Sequence, residues 1–474
     1  LSGVNQKVAV AVVYVSGLFM NIMDMTIVNV ALPQIASVLQ VSRADIGTIS
    51  IAYLVSLAVA IPASGWMGDR FGHRQVLLVA IVLFTIASGL CGSAQSLEQL
   101  VGFRVLQGLA GGMMTPVGMA LLMRTFPPAE RVRAASILTI PTALAPALGP
   151  VLGGLLVTTL SWRWVFWVNL PIGLLAVAFG LIFLRRRPLD HAGRFDLLGF
   201  VLSGVGFGGL MFGISEGASM GWTSPQIVVA LVAGVLLVTV LVFHQLRVRE
   251  PLLGLRIFTN RLFAFTSTTM FLASAGFLGS LFVAALFFQL GLRLDALQAG
   301  LLIFPEAIGV MTGAQVVSRV LYPRLGPRWT IFVGLIGSAA MMNLMWTVTD
   351  SDQAWQTRLI MFALGFFQSH NIVSSQAAAF AQISHQDMGR ATALLNAGRQ
   401  LGSAVGVATL ATVMAALAAP AQPDAGPGLL GFHLAFTVAS VFSLVGLVTV
   451  LQIDNADAAE TVRGGKSPAA ATRS

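Results

Sequence analysis

The chain has 474 residues, of which 56% are hydrophobic and only 9% charged, with a formal net charge of +9. Soluble proteins carry about 25% charged residues. This balance, with a mean hydropathy of +0.86, excludes a soluble enzyme or binding module and implies a chain that crosses a membrane many times. The positive charge does not indicate nucleic acid, because the arginines collect in short loops between apolar segments, as cytoplasmic membrane loops do. The one cysteine, Cys91, excludes an internal disulfide and a cysteine-rich metal site.

The apolar runs are about 20 residues long, enough for a helix to cross a hydrocarbon core of about 30 Å. They are too long for strands, so an all-α membrane protein is expected rather than a barrel. About fourteen spans follow in order: 8–32, 45–67, 75–95, 98–123, 133–158, 164–184, 196–217, 226–246, 262–290, 297–319, 330–349, 355–380, 390–417 and 431–452. The first is too long for a cleavable signal peptide and carries Asp24.

Loop charge alternates along this series. Arg70 and Arg74; Arg124, Arg131 and Arg133; Arg185, Arg186, Arg187 and Arg194; Arg247, Arg249, Arg256 and Arg261; Arg324 and Arg328; and Arg390 fall on one side. The other side holds little more than Arg43, Arg163 and Arg293. That asymmetry orients both termini to the cytoplasm. The longest basic loops bracket the pair of spans near 196–246. The expected organisation is therefore six helices in 1–190, a two-helix insertion in 191–255, six more in 256–455 and a disordered cytoplasmic tail in 456–474. The Pro- and Gly-rich linker 418–430 is short and external.

Asp24 is the first chemically telling residue. A carboxylate inside a membrane span costs about 3 kcal/mol or more, so it must face a bundle interior or a wet cavity. It is either a polar helix–helix contact or a protonation site. Asn29 lies about 140° around the helix from it and serves a different surface.

The loop Gly65-Trp66-Met67-Gly68-Asp69-Arg70-Phe71-Gly72-His73-Arg74 resembles the signature loop of the major facilitator superfamily, G-x-x-x-D-R-x-G-R/H-R. A degenerate echo follows one half later: Gly326 and Arg328 stand where Gly72 and Arg74 do, with Pro323 in place of Asp69. Arg104, before Gln107-Gly108 in the fourth span, resembles the family's proton-coupling motif; the alternative is an arginine snorkelling to the external interface. Gly149-Pro150-Val151-Leu152-Gly153-Gly154 resembles the motif of the superfamily's exporters. The stretches Asp24 to Pro33, Trp162 to Gly173 and Gly389 to Gly402 resemble the fourteen-span drug:proton antiporter branch.

The resemblance implies two six-helix bundles facing each other, two extra helices beside them, and alternating access by rocking of one bundle against the other. It implies a multidrug antiporter of the bacterial inner membrane that exports lipophilic cations, with protons entering as substrate leaves. The alternative is an exporter or flippase of a lipid, siderophore or other metabolite. No cofactor and no metal is expected, the proton gradient being the energy source, and the molecule is expected to be a monomer in the bilayer. A periplasmic adaptor is not favoured, since 418–430 is short.

Candidate residues follow from these readings. Asp24, Arg104 and Glu306 are assigned to proton coupling; Asn29, Gln107, Gln289, Gln368, Asn371, Asn396 and Arg399 to the substrate cavity. Gly65, Asp69, Arg70, Gly72 and Arg74 form the conformational latch, and Gly149, Pro150, Gly153 and Gly154 the antiporter motif. The family pattern does not call for Glu306, which is either a second proton or cation site or a hydrogen-bond partner of backbone freed by Pro305. Arg399 is a possible partner for it. His370 is expected to be a satisfied hydrogen-bonding group. Met20, Met23, Met25, Met113, Met114 and Met119 either line an adaptable cavity or simply pack. Gly204-Val205-Gly206-Phe207-Gly208-Gly209 matches a dinucleotide fingerprint, but it lies in an apolar span with no preceding strand, so it is a packing face.

Overall fold

A computed structural model of the chain describes residues 5–41, 46–185, 193–417 and 428–462, and no strand occurs among them. Arg43, Arg186 and Arg187, linker residues 418–427 and tail residues 463–474 lie outside the described residues. The first group of helices is α1 (Gln6–Leu39), α2 (Thr48–Phe71), α3 (His73–Ser93), α4 (Leu97–Thr125), α5 (Arg131–Thr159) and the short α6 (Trp164–Trp167), which leads into α7 (Asn169–Phe183). The inserted pair is α8 (Leu197–Met220) and α9 (Pro225–Arg247). The second group is α10 (Arg261–Leu286), α11 (Ala296–Val316), α12 (Tyr322–Leu344), α13 (Ala354–Ala379), α14 (Met388–Leu417) and α15 (Gly428–Val450), with a terminal turn α16 (Ala459–Val462).

Local chemistry sets these boundaries. Ser96 opens α4 by accepting the Gln99 N–H (3.3 Å), and Asn260 opens α10 by accepting that of Phe263 (3.0 Å). Asp295 and Gln298 form a capping box at the start of α11. α1 runs on to Leu39, beyond the expected end near residue 32. Pro33 removes only one helical hydrogen bond, and the Gln34 side chain donates to the Val157 carbonyl of α5 (3.3 Å), which holds the extension in place. Asp24 consequently sits near the middle of α1 rather than towards its end.

Among the described residues, eleven stretches are long and apolar enough to cross a membrane, or twelve if the bent pair Pro128–Pro146 and Val151–Thr159 is one span. One of them, Gln298–Thr347, holds both α11 and α12. α13 is not among them; its middle carries buried Gln368, His370, Asn371 and Gln376. Fourteen crossings thus exceeds what length and hydropathy alone support. α9 presents Val229, Val232, Val235, Leu236 and Phe243 outward, an apolar face that only lipid or a partner can accommodate.

The two groups of helices meet on the arginine-rich side. One buried cluster there joins Leu122, Met123, Phe126 and Leu138 of the first group to Phe380, Met388, Ala391 and Leu395 of the second. Another joins Val132 and Ala135 to Val317, Tyr322, Val373 and Ala377. Towards the other side the buried clusters separate: Ile35, Ile49, Leu100 and Trp162 pack within the first group, and Phe287, Met345, Ile360 and Phe432 within the second. The molecule is closed on its arginine-rich face.

The segment expected to be disordered from residue 456 is ordered as far as Val462. Tyr322 Oη and Thr461 Oγ1 share a hydrogen bond of 2.8 Å, and Gln382 Nε2 donates to the Asp457 carbonyl (2.9 Å). Asn455 Oδ1 accepts the Arg328 N–H (3.0 Å). The polar composition of this segment is spent on these contacts rather than on water.

Candidate functional site

Asp24 is fully buried, and α4 delivers its partners. Arg104 Nη1 donates to Asp24 Oδ2 and also to Gln107 Oε1 (2.7 Å), while Gln107 Nε2 donates to Asp24 Oδ1 (2.9 Å). Arg104 and Gln107 are three residues apart and therefore share a helix face. From α7, Asn169 Nδ2 reaches Asp24 Oδ1 (3.4 Å) and Ser88 Oγ of α3 (3.1 Å). The Arg104 guanidinium lies over the Tyr53 ring, 4.2 Å from its centre, and Tyr53 Oη donates in turn to Asn21 Oδ1 (3.2 Å). The carboxylate thus receives three donors, from Arg104, Gln107 and Asn169, which offset the cost of burying it beside a guanidinium.

The snorkelling alternative for Arg104 is excluded, because its side chain is buried against Asp24. Gln107 belongs to this cluster rather than to an open cavity. Asn169, Ser88, Tyr53 and Asn21 were not singled out from the sequence. Asn169 sits inside the stretch Trp162 to Gly173 that carried the family resemblance, so that stretch held a signal; the other three look like ordinary span residues until α2, α3 and α4 pack around α1.

Latch residues Gly65 and Asp69 lie where α2 meets α4 and α14. Asp69 accepts from Arg124 Nη2 (2.9 Å), with His73 Nε2 at 3.7 Å. A Cβ on Gly65 would lie 2.9 Å from the Gly389 carbonyl oxygen, so only glycine lets α2 meet α14 here, and a Cβ on Gly389 would stand 3.3 Å from Asp69 Oδ1. Gly72 turns the chain at φ +87°, and Gly326 repeats this at +73° in the second half. Arg70 is exposed, and Arg74 donates to the Leu181 carbonyl (3.1 Å) at the end of α7. In the exporter motif, Gly149 and Gly153 accept Thr26 and Ile27 of α1 at close range, while nothing approaches Gly154 within 4 Å. The Pro150 side chain lies outside those described.

The second half presents a looser set. Glu306 is buried, and among the described residues it has neither an ion-pair nor a hydrogen-bond partner. Arg399 does not reach it; Arg399 Nη2 approaches Asn396 Oδ1 at 3.5 Å, and Asn396 Nδ2 donates to the Thr392 carbonyl (2.8 Å). The backbone freed by Pro305 is not bonded to Glu306 either. Gln368 and Asn371 are buried together, Asn371 Nδ2 donating to Gln368 Oε1 (3.3 Å). Nearby Ser374 Oγ, Ser375 Oγ and Gln376 Oε1 have no hydrogen-bond partner among the described residues. Such groups call for water or a ligand as the molecule works. His370 Nδ1 is satisfied by the Phe366 carbonyl (2.8 Å).

Two further cavity candidates are exposed. Gln289 is exposed on a π turn and bonds only to the Ala285 carbonyl (3.2 Å), and Asn29 is exposed, bonded to Ser50 Oγ (3.1 Å). Met20, Met23, Met114 and Met119 are buried, and Met25 and Met113 are partly buried against the same cluster.

The model of a family described as Major Facilitator Superfamily matches residues 14–407 and 314–473. MdtD, a multidrug resistance candidate of Pectobacterium carotovorum, is 30% identical over 95% of this chain and 96% of its own length. The MdtD of Klebsiella pneumoniae strain 342 is 33% identical over 82% of the chain and 83% of its own length. A multidrug resistance protein B homolog of Mycobacterium tuberculosis is 31% identical, covering 82% and 73%. Among solved structures, a human organic anion transporter superposes with a TM-score of 0.65 at 17% identity, covering 94% of this chain and 100% of its own. A proton:xylose symporter does so at 0.63 and 14%, covering 94% of each.

Proposed function

Because the chain belongs to the major facilitator superfamily, we propose that it is a proton-coupled antiporter that exports lipophilic, cationic drugs or biocides by alternating access. The observation that carries this reading is the buried Asp24–Arg104 pair. Family membership and the names of the relatives support a transporter rather than an enzyme, and a multidrug one.

The chemistry proceeds from the pair. Ionised Asp24 holds Arg104, Gln107 and Asn169 on one centre joining α1, α4 and α7. A proton on Asp24 cancels one charge of a buried pair, and the remaining cation must find new partners. Proton uptake and a rearrangement of the first bundle become one event. Glu306, buried in the second bundle with no ion-pair or hydrogen-bond partner among the described residues, is the group on which a cationic substrate and a proton compete. The arginine-rich face is cytoplasmic, as are both termini, the chain crosses the bacterial inner membrane fourteen times, and the closed face makes this the outward-facing state.

The test is substrate-induced proton release from purified protein in detergent, using a panel of cationic dyes. Wild type releases protons on dye addition, and Asp24→Asn, which keeps the size and an acceptor for Arg104, abolishes the signal; Glu306→Gln weakens dye binding. Unchanged release in both variants and in the double variant would overturn the assignment.

A further inference from the structure

Arg131, the first residue of α5, is only 2% exposed although it stands at the arginine-rich face. Its Nη1 donates to the carbonyl of Phe380, the residue that caps α13 and is itself fully buried. The first group of helices thus holds the carbonyl end of a helix in the second. The carbonyl end of a helix carries about half a negative charge and favours a cation beside it. α13 has no basic residue in its last turn, and α14, eight residues on, has no acidic residue in its first. From the first group, Arg131 supplies the positive charge at the end of α13, and Asp69, 3.3 Å from a Cβ on Gly389, adds a negative charge at the start of α14 to that of the hairpin's own Asp387, which immediately precedes the helix.

We propose that Arg131 is a positioning residue of the transport cycle: it and Asp69 form a socket of opposite charges that recognises the two dipole ends of the α13–α14 hairpin, and the Arg131 contact breaks each time the arginine-rich face opens. The Asp69 end belongs to the latch already described; the Arg131 end lies outside every motif of the sequence. Its surroundings fit that role. Val132 and Ala135, next along α5, pack against Val373 and Ala377 of α13. Lys7 Nζ pairs with Glu130 (2.6 Å), which anchors the turn before Arg131 to α1. Gln382 of the hairpin loop is tied to the Asp457 carbonyl, so the terminal segment supports the hairpin from its other side. Arginine suits the position because it stays charged where it is buried against a carbonyl.

This rests on alternating access, and the test reads the opening directly rather than transport. Leu395, 3% exposed within the cluster that joins the two groups, is replaced by cysteine, and its alkylation by a water-soluble maleimide is timed in purified protein, with the chain bearing only Cys91 as the blank. Arg131→Met raises the rate about tenfold or more, the size implied by loss of a charge-assisted hydrogen bond. Arg131→Lys keeps the charge and restores most of the protection. Where Arg131→Met does not fold, Arg131→Gln, which keeps a donor without charge, is read in the same way. Unchanged alkylation in the Arg131 variants, with a rise in Asp69→Asn, would overturn the role of Arg131 and leave alternating access standing. No rise in any variant would overturn both.

Discussion

Asp24 and Arg104 were each assigned to proton coupling on their own, from a charge that a membrane span does not tolerate unpaired. The structure makes them one object. Breaking a buried ion pair by removing one partner costs about 3–5 kcal/mol, since the other charge is left unmatched. Asp24→Asn and Arg104→Met should each lower the melting temperature in detergent, and the two together should recover part of the loss. A double variant that shows the simple sum of the two losses would mean that the residues do not act as a unit. Glu306 differs at this scale: among the described residues its carboxyl has no partner to lose, so Glu306→Gln should leave the melting temperature nearly unchanged while altering dye binding.

The inserted pair α8–α9 shows what holds an element beside a bundle. Asp196 caps α8 by accepting the Gly199 N–H (2.8 Å) and also receives Gln245 Nε2 (2.6 Å), with His244 Nε2 at 2.8 Å. Burial pushes its carboxyl up, but these bonds from His244, Gly199 and Gln245 outweigh it and hold the group below the usual carboxylate range. A carboxyl lowered in the folded state contributes stability that is complete above its unfolded value, about 3.9, and is lost as pH falls through the folded value below it. The stability difference between wild type and Asp196→Asn should therefore be constant from neutral pH down to about pH 5 and shrink below about 4. A difference that does not change with pH would remove the ionised form from the explanation. At the other end of the pair, Trp222 Nε1 donates to Thr412 Oγ1 of α14 (2.8 Å), while Trp66 of α2 packs against Phe195 with ring centres 4.7 Å apart and planes tilted by 60°. The pair is fastened to one bundle on the arginine-rich side and to the other bundle on the opposite side.

For the molecule as a whole, the decisive contact is the one between bundles. It concentrates where α2 meets α14 and where α5 meets α11 and α13, with small residues and opposite charges at the contact, and it closes the arginine-rich face. Gly389→Val would drive a side chain into Asp69 and the Gly65 backbone. The closed face should then be disfavoured, and spin labels on the arginine-rich ends of the two bundles should show a longer mean distance than in wild type. An unchanged distance distribution would mean that the Gly65–Gly389 approach does not govern closure.

Hydropathy and loop charge are properties of consecutive residues, and both were legible without coordinates. Most helix limits fall within a few residues of those expected, the glycine turns at Gly72 and Gly326 repeat as the motif and its echo imply, and the exporter glycines Gly149 and Gly153 do pack against α1. Burial of Gln368, Asn371 and the methionines was not legible, because a polar or soft residue in a span reads alike whether it lines a cavity or fills a seam. The order of residues 456–462 was also hidden, since the Thr461 hydroxyl finds Tyr322 of α12 and the Asp457 carbonyl finds Gln382 of the hairpin loop only after folding. The same reason applies most strongly at the centre. Asp24 finds Arg104 80 residues away and Asn169 145 away, and Arg131 finds Phe380 across 249. The chain by itself determined that it is helical, spans a membrane and must pair its buried charges; only packing of the helices decided which groups those charges meet, because partners so far apart are chosen by the shape of the assembled bundle and not by any local rule.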